Sequence, residues 1–299
     1  MKKLLCVVLA VMLFVLSGCS GDNGDKQHKR IVGASFYPMY IFTLNLLSGV
    51  EDVQVECMAS QVTGCLHDYT LRAKDIKLLN DAEVFVINGA GMETFLADDI
   101  DGNENLTVID SSQGIEPMCA ETHDNHSHDE EHDHAHNSHI WLSVSNAKKQ
   151  LENIKDGLCS HFPEYKSIIE SNYNNYVKRL NELQSVYNHT DEVKAISFHG
   201  GYDYMAKEMG FSIFMSIDSD EGVEPSAKAL AHLSDAMIKD GVNAIFISPD
   251  YDGAAAEILS NETGVPIYVL DPVLSGENTL TAYEDIMRTN YSTVSKVVS

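Results

Sequence analysis

From Arg30 onward, short runs rich in β-branched residues alternate with stretches of helical period, and the pattern is laid down twice. Strands are predicted at Ile31–Phe36, Val53–Met58, Glu83–Asn88 and Leu106–Ile109, then at Lys194–Phe198, Phe211–Ile217, Asn243–Ser248 and Pro266–Leu270. Helices are predicted at Pro38–Leu47 and Arg72–Asn80, then at Gly201–Met209, Pro225–Lys239, Gly253–Thr263 and Asn278–Tyr291. Pro38 and Pro225 both stand where a first helical turn tolerates a missing N–H. Such alternation calls for mostly parallel sheets flanked by helices, an α/β class. The length suits two lobes better than one core.

Between the halves, Pro163 opens a stretch without Gly or Pro that lasts to Gly200. Within it Tyr165, Ile169, Tyr173, Tyr176, Leu180, Leu183 and Tyr187 recur at steps of three and four. That period predicts one long amphipathic helix, roughly 35–40 Å at 1.5 Å per residue. It reads as a rigid strut joining the lobes, although the same stripe also suits a helix packed within one of them. The chain thus divides into a signal at 1–18, a tether at 19–30, an N-terminal lobe at 31–160, a linking helix at 161–192 and a C-terminal lobe at 193–299.

The N-terminus reads as a targeting signal. Met1-Lys2-Lys3 precedes an apolar run from Leu4 to Leu16, too short to span a bilayer comfortably, and Leu16-Ser17-Gly18-Cys19 resembles a bacterial lipoprotein box. Cys19 is the expected lipidation site, which places the mature chain outside the cytoplasm on a membrane anchor. Ser20 to Arg30, rich in Gly, Asp, Asn and Lys, reads as the flexible tether. With 45 acidic against 20 basic residues the formal charge is −25, which argues against nucleic acid and fits a cationic solute. No CxxC occurs; Cys57 and Cys65 are spaced either to bridge or to stand as free thiols.

Thirteen histidines are present, and seven crowd between positions 123 and 139. His123, His126, His128, His132, His134 and His136, interleaved with Asp and Glu, form an acidic loop over 121–138 without apolar period. Its composition reads as auxiliary metal binding, or as a polar loop whose histidines are incidental. Imidazole and carboxylate donors suit zinc, copper or nickel better than calcium. A tight site needs ligands on rigid elements. His199 follows the strand ending at Phe198, Asp271 follows the strand ending at Leu270, and ligands of open α/β sheets bind outside such carboxyl ends. His67 lies in the loop after the strand ending at Met58, and His139 directly precedes the apolar turn Ile140-Trp141-Leu142. Three imidazoles and one carboxylate from two lobes make a plausible tetrahedral zinc set. His28, His161, His189 and His232 read as surface residues, and Asp218, Asp220, Glu221 and Glu224 as an acidic surface loop.

Several segments resemble, in order, those of the zinc/manganese solute-binding lipoproteins of ABC importers. They are Ser35-Phe36-Tyr37-Pro38-Met39-Tyr40; His67-Asp68-Tyr69 with Arg72, Asp75 and Ile76; Asn88-Gly89-Ala90-Gly91-Met92-Glu93; His139-Ile140-Trp141-Leu142; Ser197-Phe198-His199-Gly200-Gly201-Tyr202; Glu224-Pro225-Ser226; and Leu270-Asp271-Pro272. The resemblance spans essentially the whole mature chain. It implies that His67, His139 and His199 are imidazole ligands, with Asp271 the fourth ligand or close beside the ion. It further implies Zn2+ as the cargo, since the manganese members carry a carboxylate where this chain has His199. A membrane permease of the ABC type is the implied partner, and the binding protein itself acts as a monomer without catalysis. The chain departs from the family at Cys65-Leu66-His67, where a Pro commonly precedes the ligand, and at Ser143-Val144, where Asp-Pro is common. The first departure raises Cys65 as an alternative donor. Rival readings are a manganese or other transition-metal carrier, a surface zinc buffer built on the His-rich loop, and a zinc hydrolase; for the last, neither an HExxH motif nor a nucleophile arrangement is present.

Overall fold

The computed structural model describes residues 29–60, 69–119, 136–187, 192–217, 225–251 and 254–297. Cys19, Cys65, His67, the loop histidines from His123 to His134 and the acidic stretch 218–224 lie outside the described residues.

The first lobe is built from β1 (Arg30–Phe36), α1 (Tyr37–Leu46), β2 (Val53–Ala59), α2 (Ala73–Asp81), β3 (Val84–Ile87), α3 (Ala97–Asp101) and β4 (Thr107–Asp110). The second has β7 (Lys194–Ser197), α6 (Asp203–Met209), β8 (Ser212–Ser216), α7 (Ala227–Asp240), β9 (Ala244–Ile247), α8 (Ala254–Thr263), β10 (Ile267–Val269) and α9 (Ala282–Val297). The sheets run β2-β1-β3-β4 and β10-β9-β7-β8, with every pairing parallel. Counted along the chain, both have the order second, first, third, fourth. Each therefore reverses its winding beside its first strand, between β1 and β3 and between β7 and β9, where an α/β sheet leaves a crevice at its carboxyl edge.

Between the lobes stand α4 (Val144–His161) and α5 (Lys166–Ser185), separated by a short 3-10 turn at Pro163–Tyr165. The predicted strut is shorter than its aromatic stripe suggests. The helix begins only after the proline turn and ends at Ser185, leaving 20 residues, about 30 Å. Tyr187, read as the last residue of the stripe, instead donates its hydroxyl to the Met209 carbonyl in the second lobe.

Helix α4 has no counterpart among the predicted elements. Val144, Ala147, Leu151, Ile154 and Leu158 form one fully buried face, and the Ser143 hydroxyl caps its start by accepting the Asn146 N–H. Gly157 lets this helix close on the sheet, because a Cβ there would stand 2.6 Å from Ile109 Cδ1. At the other end of the chain, Ser226 caps α7 through the Ala229 N–H. Pro225, expected inside that helix, stands just before its cap. His161, read as a surface residue, is half-buried and bridges Thr107 and Glu83, whereas His232 is exposed.

A continuous hydrophobic cluster joins the two sheets: Val32, Val84 and Val86 from the first, Ala195, Ala244 and Phe246 from the second, with α1, α4, α5 and α9 between them. Smaller clusters close the outer faces under α2 and under α7 and α8. Lobes that share one core resist the wide opening expected of lobes joined by a polar interface. Arg179 on α5 reinforces this layer by donating to Glu284 on α9 at 2.6 Å and to Asn45 on α1 at 2.6 Å. Among the described residues no helix is long and apolar enough to cross a membrane.

Candidate metal centre

His139 enters the cleft from a short antiparallel hairpin, β5 (Met118–Cys119) with β6 (His136–Asn137). The last residues of the predicted His-rich loop are therefore paired strand, not open loop. Directly after His139, Ile140, Trp141 and Leu142 form a 3-10 turn that is fully buried. Trp141 stacks edge-on to Phe36 at 4.9 Å between ring centroids, while the Tyr283 hydroxyl holds its carbonyl at 2.7 Å. An apolar anchor of this kind fixes the backbone of the residue before it.

His199 lies two residues beyond β7, where its N–H donates to Ser197 Oγ at 3.1 Å. It is 3% exposed and His139 is 6% exposed. Their ring centroids are 4.9 Å apart and their planes cross at 88°. Two imidazoles bound through nitrogen to one tetrahedral zinc, with Zn–N about 2.0–2.1 Å, have ring centres about 5 Å apart. The centroid separation of the pair is of that size. Gly201 lies against both rings, since a Cβ there would stand 2.6 Å from His139 Cγ and 2.7 Å from His199 Nε2. Only glycine leaves room for both imidazoles in this corner.

Asp271 follows β10, as predicted. Its backbone is clamped by Asn290, which accepts the Asp271 N–H at 2.9 Å and donates to the Asp271 carbonyl at 2.8 Å. Asp271 Oδ1 accepts the Val273 N–H at 2.7 Å. Val273 is held at φ +61°, a left-handed conformation that a β-branched residue adopts only under constraint, at about 1–3 kcal/mol. Burial raises the Asp271 carboxyl above its usual range, the Val273 N–H opposes this, and the Asp250 carboxylate adds to the rise. A carboxylate desolvated in this way gains when a cation arrives. Asp271 and His199 line one cavity of about 70 Å3 together with Ser248, Asp250 and Ser275.

Two hydrogen bonds tie these turns together. Tyr202 donates to the Leu270 carbonyl at 2.5 Å, joining the His199 loop to the Asp271 turn, and Trp141 Nε1 donates to the Pro272 carbonyl at 2.9 Å, joining the His139 turn to it. His139 packs against His199, and His199 shares a cavity with Asp271, while His67 lies outside the described residues. Among the described residues no three His, Cys, Asp or Glu side chains gather closely enough to hold one ion.

The residue reading missed Asn137, Gly201 and Asp250. Gly201 was legible only as one of two glycines after a histidine; Asn137 and Asp250 carry no spacing signal and emerge only from the folding. Cys57 is partly buried and its thiol is pushed up to about 12 by burial, so it is a poor thiolate donor.

The chain resembles known proteins over nearly its full length. The profile of the zinc-uptake complex component A family, periplasmic (ZnuA), matches residues 32–297. The high-affinity zinc uptake system protein ZnuA of Bacillus subtilis is 31% identical over 293 residues, 91% of this chain and 88% of that protein. The zinc-binding lipoprotein AdcA of Streptococcus pneumoniae R6 is 29% identical over 301 residues, 95% of this chain, which spans only 59% of the streptococcal protein. Among solved structures, the Zn(II)-bound ZnuA-like domain of Streptococcus pneumoniae AdcA superposes with a TM-score of 0.74 at 25% identity, covering 90% of this chain and 98% of that one. With a match that runs from β1 to the end of α9, the chain belongs to the zinc-uptake complex component A family.

Proposed function

We propose that this protein captures a zinc ion outside the cytoplasm and delivers it to an ABC permease, holding it between its lobes with His67, His139, His199 and Asp271. The observation that carries this reading is the buried pair His139 and His199, contributed by separate lobes and spaced as two ligands of one ion. Nitrogen donors with one carboxylate favour zinc over the hard, oxygen-seeking cations. The family match and the zinc-named relatives support the same cargo.

The role is capture and release, with no bond made or broken in a substrate. Neutral imidazoles and a carboxylate replace the water of the ion, so binding weakens in acid as the imidazoles protonate. The shared core favours release by a small displacement of one ligand-bearing turn when the protein docks on its permease. Lipidation at Cys19 keeps a monomeric carrier near that permease, and the His-rich loop raises the chance of encounter with the ion.

Competitive zinc titration of the metal-stripped protein tests the ligand set. His139→Ala and His199→Ala should each lose high-affinity binding, whereas deletion of residues 121–135 should retain it. Wild-type affinity in either alanine variant would refute the assignment, and loss of the tight ion on loop deletion would point to a surface buffer instead. Loss of membrane attachment in Cys19→Ala tests the anchor.

A further inference from the structure

The geometry points to Asn137 as a positioning residue that sets the tautomer of His139 and ties it to the second lobe, an inference that rests on the ligand role proposed for His139. Asn137 is buried two residues before His139, and its side-chain amide makes four contacts. Oδ1 lies 3.0 Å from the His139 backbone N and 3.0 Å from His139 Nδ1. Nδ2 lies 3.3 Å from the Gly200 carbonyl and 2.7 Å from Asp203 Oδ2.

Three of these four neighbours have only one possible role. The backbone N–H of His139 donates, while the Gly200 carbonyl and the Asp203 carboxylate accept. They fix which end of the amide is oxygen, so the orientation follows from the partners and not from a choice between look-alike atoms. Facing a carbonyl oxygen, His139 Nδ1 must carry the proton. In the neutral ring its Nε2 is then the unprotonated nitrogen, the form a metal ion takes.

The same amide bridges the lobes. Gly200 directly follows His199, and Asp203 opens α6 of the second lobe. Tyr204, one residue further, accepts the Met118 N–H and donates to the Asn137 carbonyl, both at 2.9 Å, which clasps the β5–β6 hairpin from the second lobe. The stem of the His-rich loop is thus gripped by the lobe that carries His199, and Asn137 converts that grip into the orientation of the imidazole at His139.

Three measurements on the full chain test this. In the metal-stripped wild type, 15N chemical shifts of His139 should report the Nδ1–H tautomer, and in Asn137→Ala a mixture of both. Zinc affinity by competition should fall about 10–100-fold in Asn137→Ala, the usual effect of removing a group that orients a ligand. Asn137→Asp should also lose affinity by setting two carboxylates face to face. The exchange Asn137→Asp with Asp203→Asn should recover part of that loss, because the 137–203 hydrogen bond returns with donor and acceptor exchanged while the Gly200 carbonyl loses its N–H. The tautomer read from the 15N shifts separates an orienting role from a purely structural one. An Nε2–H tautomer in the wild type overturns the inference whether or not the variants fold. Unchanged affinity in Asn137→Ala, with His139→Ala deficient, overturns it while leaving the ligand set standing. Unchanged affinity in His139→Ala removes the ligand set and the inference together.

Discussion

Trp141 and Pro272 are 131 residues apart in sequence, yet the indole N–H of one meets the carbonyl of the other at 2.9 Å. The turn that presents His139 and the turn that presents Asp271 are therefore one hydrogen-bonded unit. Such preorganisation lowers the ordering cost that flexible ligands would otherwise impose on binding.

Trp141→Phe removes that donor and leaves the Pro272 carbonyl buried without it. The expected cost is about 1–3 kcal/mol of stability in the metal-stripped protein, measured by denaturant titration. Zinc affinity should fall as well, because the two ligand turns lose their tie. A variant that matched the wild type in both would show that the turns are held independently. As the sole tryptophan, with its ring 5.1 Å from that of His139, Trp141 should also report zinc binding by a change in fluorescence that His139→Ala abolishes.

Gly201→Ala should weaken zinc binding more than it weakens the fold. A methyl group at this position stands within 2.7 Å of both imidazoles, so one ring must swing out of place. The backbone is not held in the left-handed region there, so the effect is steric and local. Calorimetry with zinc, set beside thermal unfolding of the stripped protein, separates the two. Equal losses in both would mean that the glycine serves the backbone and not the site.

Much of this architecture is legible in the residues because β-branched runs and three-four periods are local signals. All eight long strands lie within about two residues of their expected ends, since each is a short apolar run bounded by polar or turn residues. Helix α4 is the instructive omission. Its buried face includes Ala147 and Gln150, which dilute the apolar stripe, and its start is marked only by Ser143. His199 and Asp271 could be placed because strand ends predict a ligand edge; the role of Asn137 could not, because it depends on Gly200 and Asp203 arriving from another lobe.

Arg179 should be costly to remove, because it reaches a buried carboxylate. Its partner Glu284 is 4% exposed at the side chain, and although burial raises that carboxyl, the guanidinium opposes the rise. Arg179→Met leaves a buried carboxyl without its main partner, which costs about 3–5 kcal/mol when the charge has no other compensation. Arg179→Met with Glu284→Leu should recover most of this, as removal of both members of such a pair is often neutral. A double-mutant cycle by denaturant titration measures the coupling, and additive losses would show that the pair contributes little.

Glu93 gives the metal-stripped protein a defined pH dependence. Full burial raises its carboxyl to about 7, against three donors that pull the other way: the Ser35 hydroxyl at 2.7 Å, the Asn88 N–H at 2.7 Å and the Gly89 N–H at 3.0 Å. In the unfolded chain the same group ionises near 4.5. Between those values the folded state retains a proton that the unfolded state has released, so stability falls as pH rises through the window, by up to about 3 kcal/mol. Below about 4.5 both states are protonated and the contribution is fully present; above about 7 it is gone. Glu93→Gln cannot ionise, so its stability should decline less steeply than that of the wild type from pH 4.5 to 7, whatever its absolute level. Denaturant titrations across that range decide the matter, and parallel curves for the two proteins would mean that Glu93 ionises in the fold as it does in water.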